Sequence, residues 1–267
     1  MKNRYAVIGQ PVSHSMSPAI HELFAAQFGM DLTYERILGD ASDFERQAVK
    51  FFIEGGLGLN VTLPFKERAF HLSIEPTHRC LAARAANTLW FKHGILHADN
   101  TDGIGFMRDL SRFFSVTGRS VLILGAGGAA RGLIQPLLDA QPQSLMIWNR
   151  TEDKLQALVN DFPGLLPVQL NQLGVVDCII NATSSSLSGF SLELPQSVWQ
   201  SMPFCYDLAY DVAAPTSFVA TAFRHGCKAV DGFGMLVEQA AEAFYIWNGV
   251  MPETESVIRA LLPEKYS

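Results

Sequence analysis

Cysteine is scarce and scattered in this chain. Cys80, Cys178, Cys205 and Cys227 stand more than twenty positions apart and make no CxxC pair. Neither a zinc knuckle nor a disulfide framework is expected, and the thiols read as buried structural groups in a reducing compartment. No apolar run approaches the roughly 20 residues that cross a bilayer. Met1 to Ile8 lead straight into an apolar strand, without the apolar stretch and small-residue cleavage site of a secretory leader. The expected location is the cytoplasm. Positive charge is not in excess either: the formal net charge is −6 and the pI about 5.6. Neither nucleic acid nor an anionic membrane is expected as partner, and any anionic ligand must be held by local positive charge. The seven histidines show no metal-ligand spacing, so no metal is expected. Repeats, low-complexity runs and charge blocks are absent.

What is present suits a compact enzyme. The 267 residues are 48% hydrophobic and 17% charged, enough for two ordinary domains or one large one. Strand-like and helix-like segments alternate throughout, which predicts an α/β fold. Strands are expected at Tyr5–Ile8, Thr33–Leu38, Leu57–Val61, Thr88–Phe91 and Ile95–Ala98, the last two forming a hairpin through Lys92-His93-Gly94. A helix is expected from Pro18 to Phe28, with Ser17 able to cap it and Gly29 ending it. A second register starts at Ser120–Leu124 and continues through Leu145–Trp148, Cys178–Asn181 and Cys205–Asp207. The domain joint is placed near Asp102–Gly103. The domains expected are 1–102, an α/β substrate-binding and catalytic domain, and 103–237, a Rossmann-like, doubly wound nucleotide-binding domain. A C-terminal helix, about 238–267, is left free to pack back on the first.

Gly125-Ala126-Gly127-Gly128-Ala129-Ala130 follows an apolar strand and opens a helix. This is GxGxxA in the setting a dinucleotide requires. One glycine permits the turn, the next lets backbone approach a pyrophosphate, and Ala130 allows close helix–strand packing. The helix N-terminus offers unpaired N–H groups to phosphate. Pro136 should kink that helix. The second strand of the register ends in Asn149-Arg150-Thr151, with Lys154 a turn later. An acidic residue here would hold a free ribose 2′-hydroxyl. Arg150 instead suits adenine stacking and charge-assisted bonds to a 2′-phosphate, which favours NADP over NAD.

Several further motifs come in one order. They are Ser15-Met16-Ser17-Pro18, Asn60-Val61-Thr62-Leu63-Pro64-Phe65-Lys66, Asn87-Thr88, Asn100-Thr101-Asp102-Gly103, Asn181-Ala182-Thr183-Ser184, Asp207-Leu208-Ala209-Tyr210 and Gly234-Met235-Leu236-Val237-Glu238-Gln239. Together they resemble the shikimate dehydrogenase family over nearly the whole chain, although Arg84-Ala85-Ala86 replaces a GAV-like triplet and Asp211-Val212-Ala213-Ala214 is a variable stretch. The resemblance implies reversible NADPH-dependent reduction of 3-dehydroshikimate to shikimate, a step of aromatic amino-acid biosynthesis towards chorismate, by a monomer or homodimer. It implies Lys66 and Asp102 as catalytic residues, with Lys66 either formal acid–base or electrostatic clamp. Ser15, Ser17 and Tyr210 are then matched to the substrate carboxylate, and Asn60, Thr62, Asn87, Asp102 and Gln239 to its ring hydroxyls. Ser17 has the alternative role of helix cap. For the cofactor it implies Gly125, Ala126, Gly127, Gly128, Ala129, Asn149, Arg150, Thr151, Lys154, Thr183, Ser184, Leu208, Gly232 and Met235.

Three other readings stay open. A quinate/shikimate enzyme using NAD or accepting both acids differs chiefly at Arg150. A non-catalytic NADP sensor would have no use for Lys66 and Asp102. A folate-type dehydrogenase would lack the SxSP and NTDG elements.

Overall fold

The computed structural model describes residues 2–183 and 193–262, so Ser184 lies outside the described residues. The chain divides into two compact units, 1–105 with 237–267, and 106–236.

In the first unit, β1 (Asn3–Gly9), α1 (Ser17–Gln27), β2 (Leu32–Leu38), α2 (Phe44–Ile53) and β3 (Gly56–Val61) are followed by α3 (Lys66–Leu72), β4 (Glu75–Pro76), α4 (His78–Ala83), β5 (Thr88–Lys92) and β6 (Ile95–Asp99). The strands form one mixed sheet ordered β2-β1-β3-β5-β6-β4. β1 is parallel to β2 and β3, while β5 runs antiparallel to β3 and pairs with β6 as the expected hairpin. Alternation along β1 sends Ala6 and Ile8 into a core with Phe44, Ala48 and Phe51, and Tyr5 and Val7 into the opposite one. A strand buried on both faces reads as a continuous apolar run, as β1 does. Ser17 does not cap α1. It is the first helical residue, and the cap position, Met16, makes no side-chain bond. The reason is local: the Ser15 and Ser17 hydroxyls bond each other at 3.1 Å.

The chain enters the second unit within α5 (Asp102–Leu110). There β7 (Ser120–Leu124), α6 (Gly128–Asp139), β8 (Ser144–Trp148), α7 (Glu152–Asp161), β9 (Leu165–Pro167), β10 (Cys178–Asn181), α8 (Gln196–Gln200), β11 (Phe204–Asp207), α9 (Ser217–Arg224) and β12 (Ala229–Val230) build a parallel sheet ordered β12-β11-β10-β7-β8-β9. Counted from β7, this is the doubly wound order 3-2-1-4-5-6, with the switch point between β7 and β10. Val121, Ile123, Leu145 and Ile147 face Leu133, Ile134 and Leu137 of α6, whereas Leu122 and Leu124 face Val198, Trp199 and Phe218. Pro136 is accommodated inside α6, which continues to Asp139.

The chain returns within α10 (Phe233–Asn248), and α11 (Glu255–Leu261) follows. The C-terminal segment is thus two helices and starts before residue 238. Gly249, at φ +74°, and Pro252 break it, since left-handed backbone and a missing N–H both end a helix. Trp247 of α10 stacks on Tyr5 at 5.1 Å, and a Cβ on Gly58 would lie 2.3 Å from its ring. Phe244 packs on Phe24 of α1 and on Phe28 just after it. All four cysteines are buried and free, and burial pushes the Cys80 thiol up to about 12. No helix among the described residues is long and apolar enough to cross a membrane.

Candidate functional site

In the first unit, four segments bring polar side chains to the end of β3 and β5. Lys66 opens α3 directly after the turn that follows β3, and Asp102 opens α5 directly after β6. Lys66 Nζ donates to Asp102 Oδ2 at 2.6 Å, with the two side chains 25% and 12% exposed. The other carboxylate oxygen, Oδ1, accepts from Asn87 Nδ2 at 2.8 Å. Asn87 Nδ2 also lies 2.9 Å from Thr101 Oγ1 and 3.2 Å from Gln239 Oε1 of α10. Lys66 is tied to the same loop through its carbonyl, which accepts the Ala86 N–H at 2.8 Å. α5 is entered through an Asx turn in which Asn100 Oδ1 accepts the Asp102 N–H at 3.1 Å. A Cβ on Gly105 would lie 2.6 Å from the Gln239 backbone nitrogen, so glycine lets α5 and α10 approach closely enough to present Asp102 and Gln239 together.

Asn60 is buried at the end of β3. Its Nδ2 donates to the Asn87 carbonyl at 3.0 Å and Thr88 Oγ1 at 3.2 Å, and its Oδ1 accepts from the Tyr34 hydroxyl at 2.6 Å. Thr62 is half-buried and packs over Gly9, where a Cβ would meet its Cγ2 at 2.2 Å. Arg36 of β2 donates twice to the Ser15 carbonyl, at 3.0 and 2.7 Å, and so fixes the Ser15–Ser17 turn with a positive charge beside it. The structure therefore joins Lys66, Asp102, Asn87, Asn60 and Gln239 in one hydrogen-bonded group, and Ser15 and Ser17 in another. Tyr210 belongs to the second unit, where it stands edge-on to Phe233 at 5.7 Å; burial holds its phenol above the usual range.

Sequence reasoning missed Thr101, Tyr34, Thr88, Arg79 and Asp99. Thr101 and Thr88 lie inside motifs already quoted, and their burial was the missing information. Asp99 accepts from Arg79 Nε at 3.2 Å and from the Asn100 N–H at 2.7 Å, while Arg79 also reaches Glu242 of α10 at 3.0 Å. No spacing signal in a linear chain announces such a group.

In the second unit the turn after β7 is built for close approach. Gly125 has φ +104°, and a Cβ there would lie 3.0 Å from the Ala182 carbonyl oxygen, so both backbone and space demand glycine. Gly127 and Gly128 differ. A Cβ on either would meet no protein atom within 4 Å, so protein packing does not explain them. Gly127 caps the N-terminus of the 12-residue α6 without a side-chain bond, which leaves N–H groups to bind an anion. Ala129 is exposed beside them, whereas Ala130 is fully buried against the core. Asn149 Oδ1 accepts the Ala126 N–H at 3.1 Å and its Nδ2 donates to the Thr151 carbonyl at 2.8 Å, locking the turn to the end of β8. Arg150, Thr151 and Lys154 are exposed there, and the two cations make no ion pair among the described residues. Thr183 is turned by its hydroxyl onto Asn181 Oδ1 at 2.7 Å and touches the Gly125 turn. The Leu208 N–H is taken by the Asn181 carbonyl, and a Cβ on Gly232 would lie 2.3 Å from the Leu208 oxygen. Met235 packs on the core. Glycines unexplained by protein contacts, a helix N-terminus and unpaired cations beside them fit a dinucleotide that carries an extra phosphate. Among the described residues no group of His, Cys, Asp or Glu is placed to hold a metal ion.

A doubly wound sheet with this turn, on the same chain as a lysine–carboxylate pair set among amides and hydroxyls, defines a dinucleotide-binding α/β protein of dehydrogenase type. Three family models match: the shikimate dehydrogenase substrate binding domain over residues 7–89, shikimate/quinate 5-dehydrogenase over 109–219, and the shikimate 5′-dehydrogenase C-terminal domain over 232–262. The NADP(+) shikimate dehydrogenase of Legionella pneumophila is 55% identical, covering 98% of this chain and 99% of its own. That of Acinetobacter baumannii is 44% identical over 97% and 100%. Among solved structures, the Ael1 enzyme from Pseudomonas putida superposes with a TM-score of 0.91 at 44% identity, covering 97% and 98%. The Thermus thermophilus shikimate 5-dehydrogenase, solved with NADP(H) and shikimate, gives 0.87 at 30% identity over 97% and 98%. The chain belongs to the shikimate dehydrogenase family.

Proposed function

We infer that this protein catalyses the reversible NADPH-dependent reduction of 3-dehydroshikimate to shikimate. The observation that carries the reading is the Lys66–Asp102 pair at 2.6 Å within a cluster of amides and hydroxyls. It is supported by relatives named for that activity with NADP(+).

NADPH, when bound, would supply the hydride that the ketone carbon takes up. The oxygen of that ketone gains negative charge as the bond forms. Lys66 lowers the cost with its ammonium and gives that oxygen a proton, and in the other direction it takes one back. Asp102 holds Nζ in place, while Asn87 fixes the rotation of the Asp102 carboxylate. Ser15 and Ser17 bind the substrate carboxylate through their hydroxyls, with the Arg36 charge close behind Ser15. Asn60, Thr62, Asn87, Asp102 and Gln239 bind the ring hydroxyls. Gly125 to Ala129 and the α6 N-terminus hold the pyrophosphate. Asn149, Arg150, Thr151 and Lys154 hold the adenosine 2′-phosphate, and Thr183, Leu208, Gly232 and Met235 line the remainder of the cofactor site.

The domain roles follow: 1–102 binds substrate and 103–237 binds NADP, with the helix of the C-terminal segment carrying Gln239 to the substrate. The test is a four-way assay of shikimate and quinate against NADP and NAD. Highest kcat/KM for shikimate with NADP is expected, and turnover of quinate with NAD as the best pair would replace the reading.

A further inference from the structure

Behind the Lys66–Asp102 pair, buried amides and hydroxyls stand in a file whose bond directions are forced. Asn87 Oδ1 accepts the Thr101 N–H at 2.9 Å, a group that can only donate, so Nδ2 must face Asp102 Oδ1. Asn60 Nδ2 faces the Asn87 carbonyl, which can only accept, so Asn60 Oδ1 must face Tyr34, and the Tyr34 hydroxyl must donate. Thr88 Oγ1 accepts from Asn60 Nδ2 and turns its own proton onto Asn87 Oδ1 at 2.9 Å. Every hydrogen therefore points the same way, from Tyr34 through Asn60, Thr88 and Asn87 to the Asp102 carboxylate. All four members are buried, Thr88 completely. Burial pushes the Tyr34 phenol well above its usual range, so its proton stays in place. Its ring is gripped by His21, stacked at 4.3 Å.

We propose that Thr88 and Tyr34 are positioning residues for the reaction: through Asn87 they fix the Asp102 carboxylate so that it presents Oδ2 to Lys66. The proposal rests on the reading of Lys66 and Asp102 as the acid–base pair. Hydrogen bonds in such a chain polarise one another in a low dielectric. Thr88 is the member that accepts and donates through a single atom, so an isosteric methyl breaks the file without changing its shape. Neither residue needs to touch substrate for this.

The experiment uses the full chain as parent, Thr88→Val, Thr88→Ser, Tyr34→Phe and Lys66→Ala. It measures kcat, the KM values for shikimate and NADP, melting temperature, and shikimate affinity by calorimetry without cofactor. Thr88→Val should lose about 10-fold in kcat, the worth of roughly one buried hydrogen bond expressed in the transition state. Its KM for NADP should stay at the parental value, and shikimate affinity should stay within about 3-fold. Thr88→Ser should recover most of the loss, and Tyr34→Phe should fall in the same direction by about 3-fold. Near-parental turnover of Lys66→Ala would remove the acid–base reading itself. If Lys66→Ala is inactive while Thr88→Val and Tyr34→Phe run at the parental kcat, the positioning role is overturned and the acid–base reading survives. A serine variant as slow as the valine one would place the loss in packing and overturn it too. Should Thr88→Val fail to fold, a parental kcat in Tyr34→Phe overturns it.

Discussion

At the scale of single residues, Lys66 and His21 sit in opposite settings. Lys66 is part-buried and has a carboxylate partner, Asp102, at 2.6 Å. His21 loses its charge. Its ring is stacked on Tyr34 and Trp247, and burial, opposed by a weaker contact with Asn60, lowers its pKa to about 3. For Lys66, replacement by alanine should cut turnover by roughly 10²–10⁴-fold, the reach of a positioned acid–base group. Asp102→Asn should lose turnover as well, and the double variant should lose less than the product of the two single effects if the pair acts as a unit. Multiplicative losses in steady-state kinetics would separate the two residues. For His21, the unfolded chain binds a proton near pH 6.5 and the folded one does not until about pH 3. The unfolded state therefore holds more protons between those values, and stability falls as pH falls through that window, by up to about 1.4 kcal/mol per pH unit. Above pH 6.5 this contribution is complete. His21→Phe removes the proton while keeping an aromatic ring in the stack. Urea unfolding at pH 7 and pH 4.5 should show a smaller acid loss in that variant than in the parent, and equal losses would locate the acid sensitivity elsewhere.

At the scale of elements, the turn after β7 and the end of β8 are the segments proposed to select the cofactor. Arg150 is exposed and unpaired among the described residues, so a 2′-phosphate would gain a charge-assisted bond from it without breaking an existing one. Such a bond contributes about 1.5–3 kcal/mol, and exposure puts this case at the low end. Arg150→Ala should raise the KM for NADP by about 10-fold and narrow the NADP/NAD ratio of kcat/KM; an unchanged ratio would make it an ordinary surface charge. Glycines give a second contrast. Gly127→Ala meets no protein atom and has an allowed backbone, φ −88° and ψ −177°. It should change stability by no more than about 1 kcal/mol, the scale of a cap substitution, yet weaken NADP binding measured by fluorescence titration. Gly232→Ala would press a methyl against the Leu208 oxygen at 2.3 Å and should lower the melting temperature as well. The reverse pattern would mean that Gly127 serves folding.

At the scale of the whole molecule, one unit is continuous in sequence and the other is not. Residues 106–236 carry the parallel sheet, while 1–105 is completed by 237–267. The returning segment contributes Phe244 and Trp247 to the aromatic packing of the first unit, and truncating one such side chain in a core costs about 3–5 kcal/mol. Deleting residues 237–267 should therefore abolish shikimate binding and expose the N-terminal segment to protease, while the second unit still binds NADP. Retained shikimate binding in the shortened chain would show that α10 is dispensable to that unit.

Much of this protein is determined by local sequence. The strands of four or more residues in both sheets, the hairpin at residues 92–94, the glycine turn and Arg150 beyond the next strand are carried by short stretches, whereas β4, β9 and β12, two or three residues each, are not. Periodicity, turn chemistry and phosphate recognition act over a few neighbouring residues, and so they are legible there. The short helices α3 and α4 were not, because six or seven residues hold too few turns for a periodic pattern. Ser17 was legible as polar but not as uncapping, since the choice depended on the neighbouring Ser15 hydroxyl. Tertiary structure alone decided that Asn60, Thr88, Asn87, Asp102 and Lys66 share one directed set of hydrogen bonds, and that Gln239 joins them from 152 residues after Asn87. Burial makes each of those bonds obligatory, and burial is a property of the folded surroundings that no residue carries on its own.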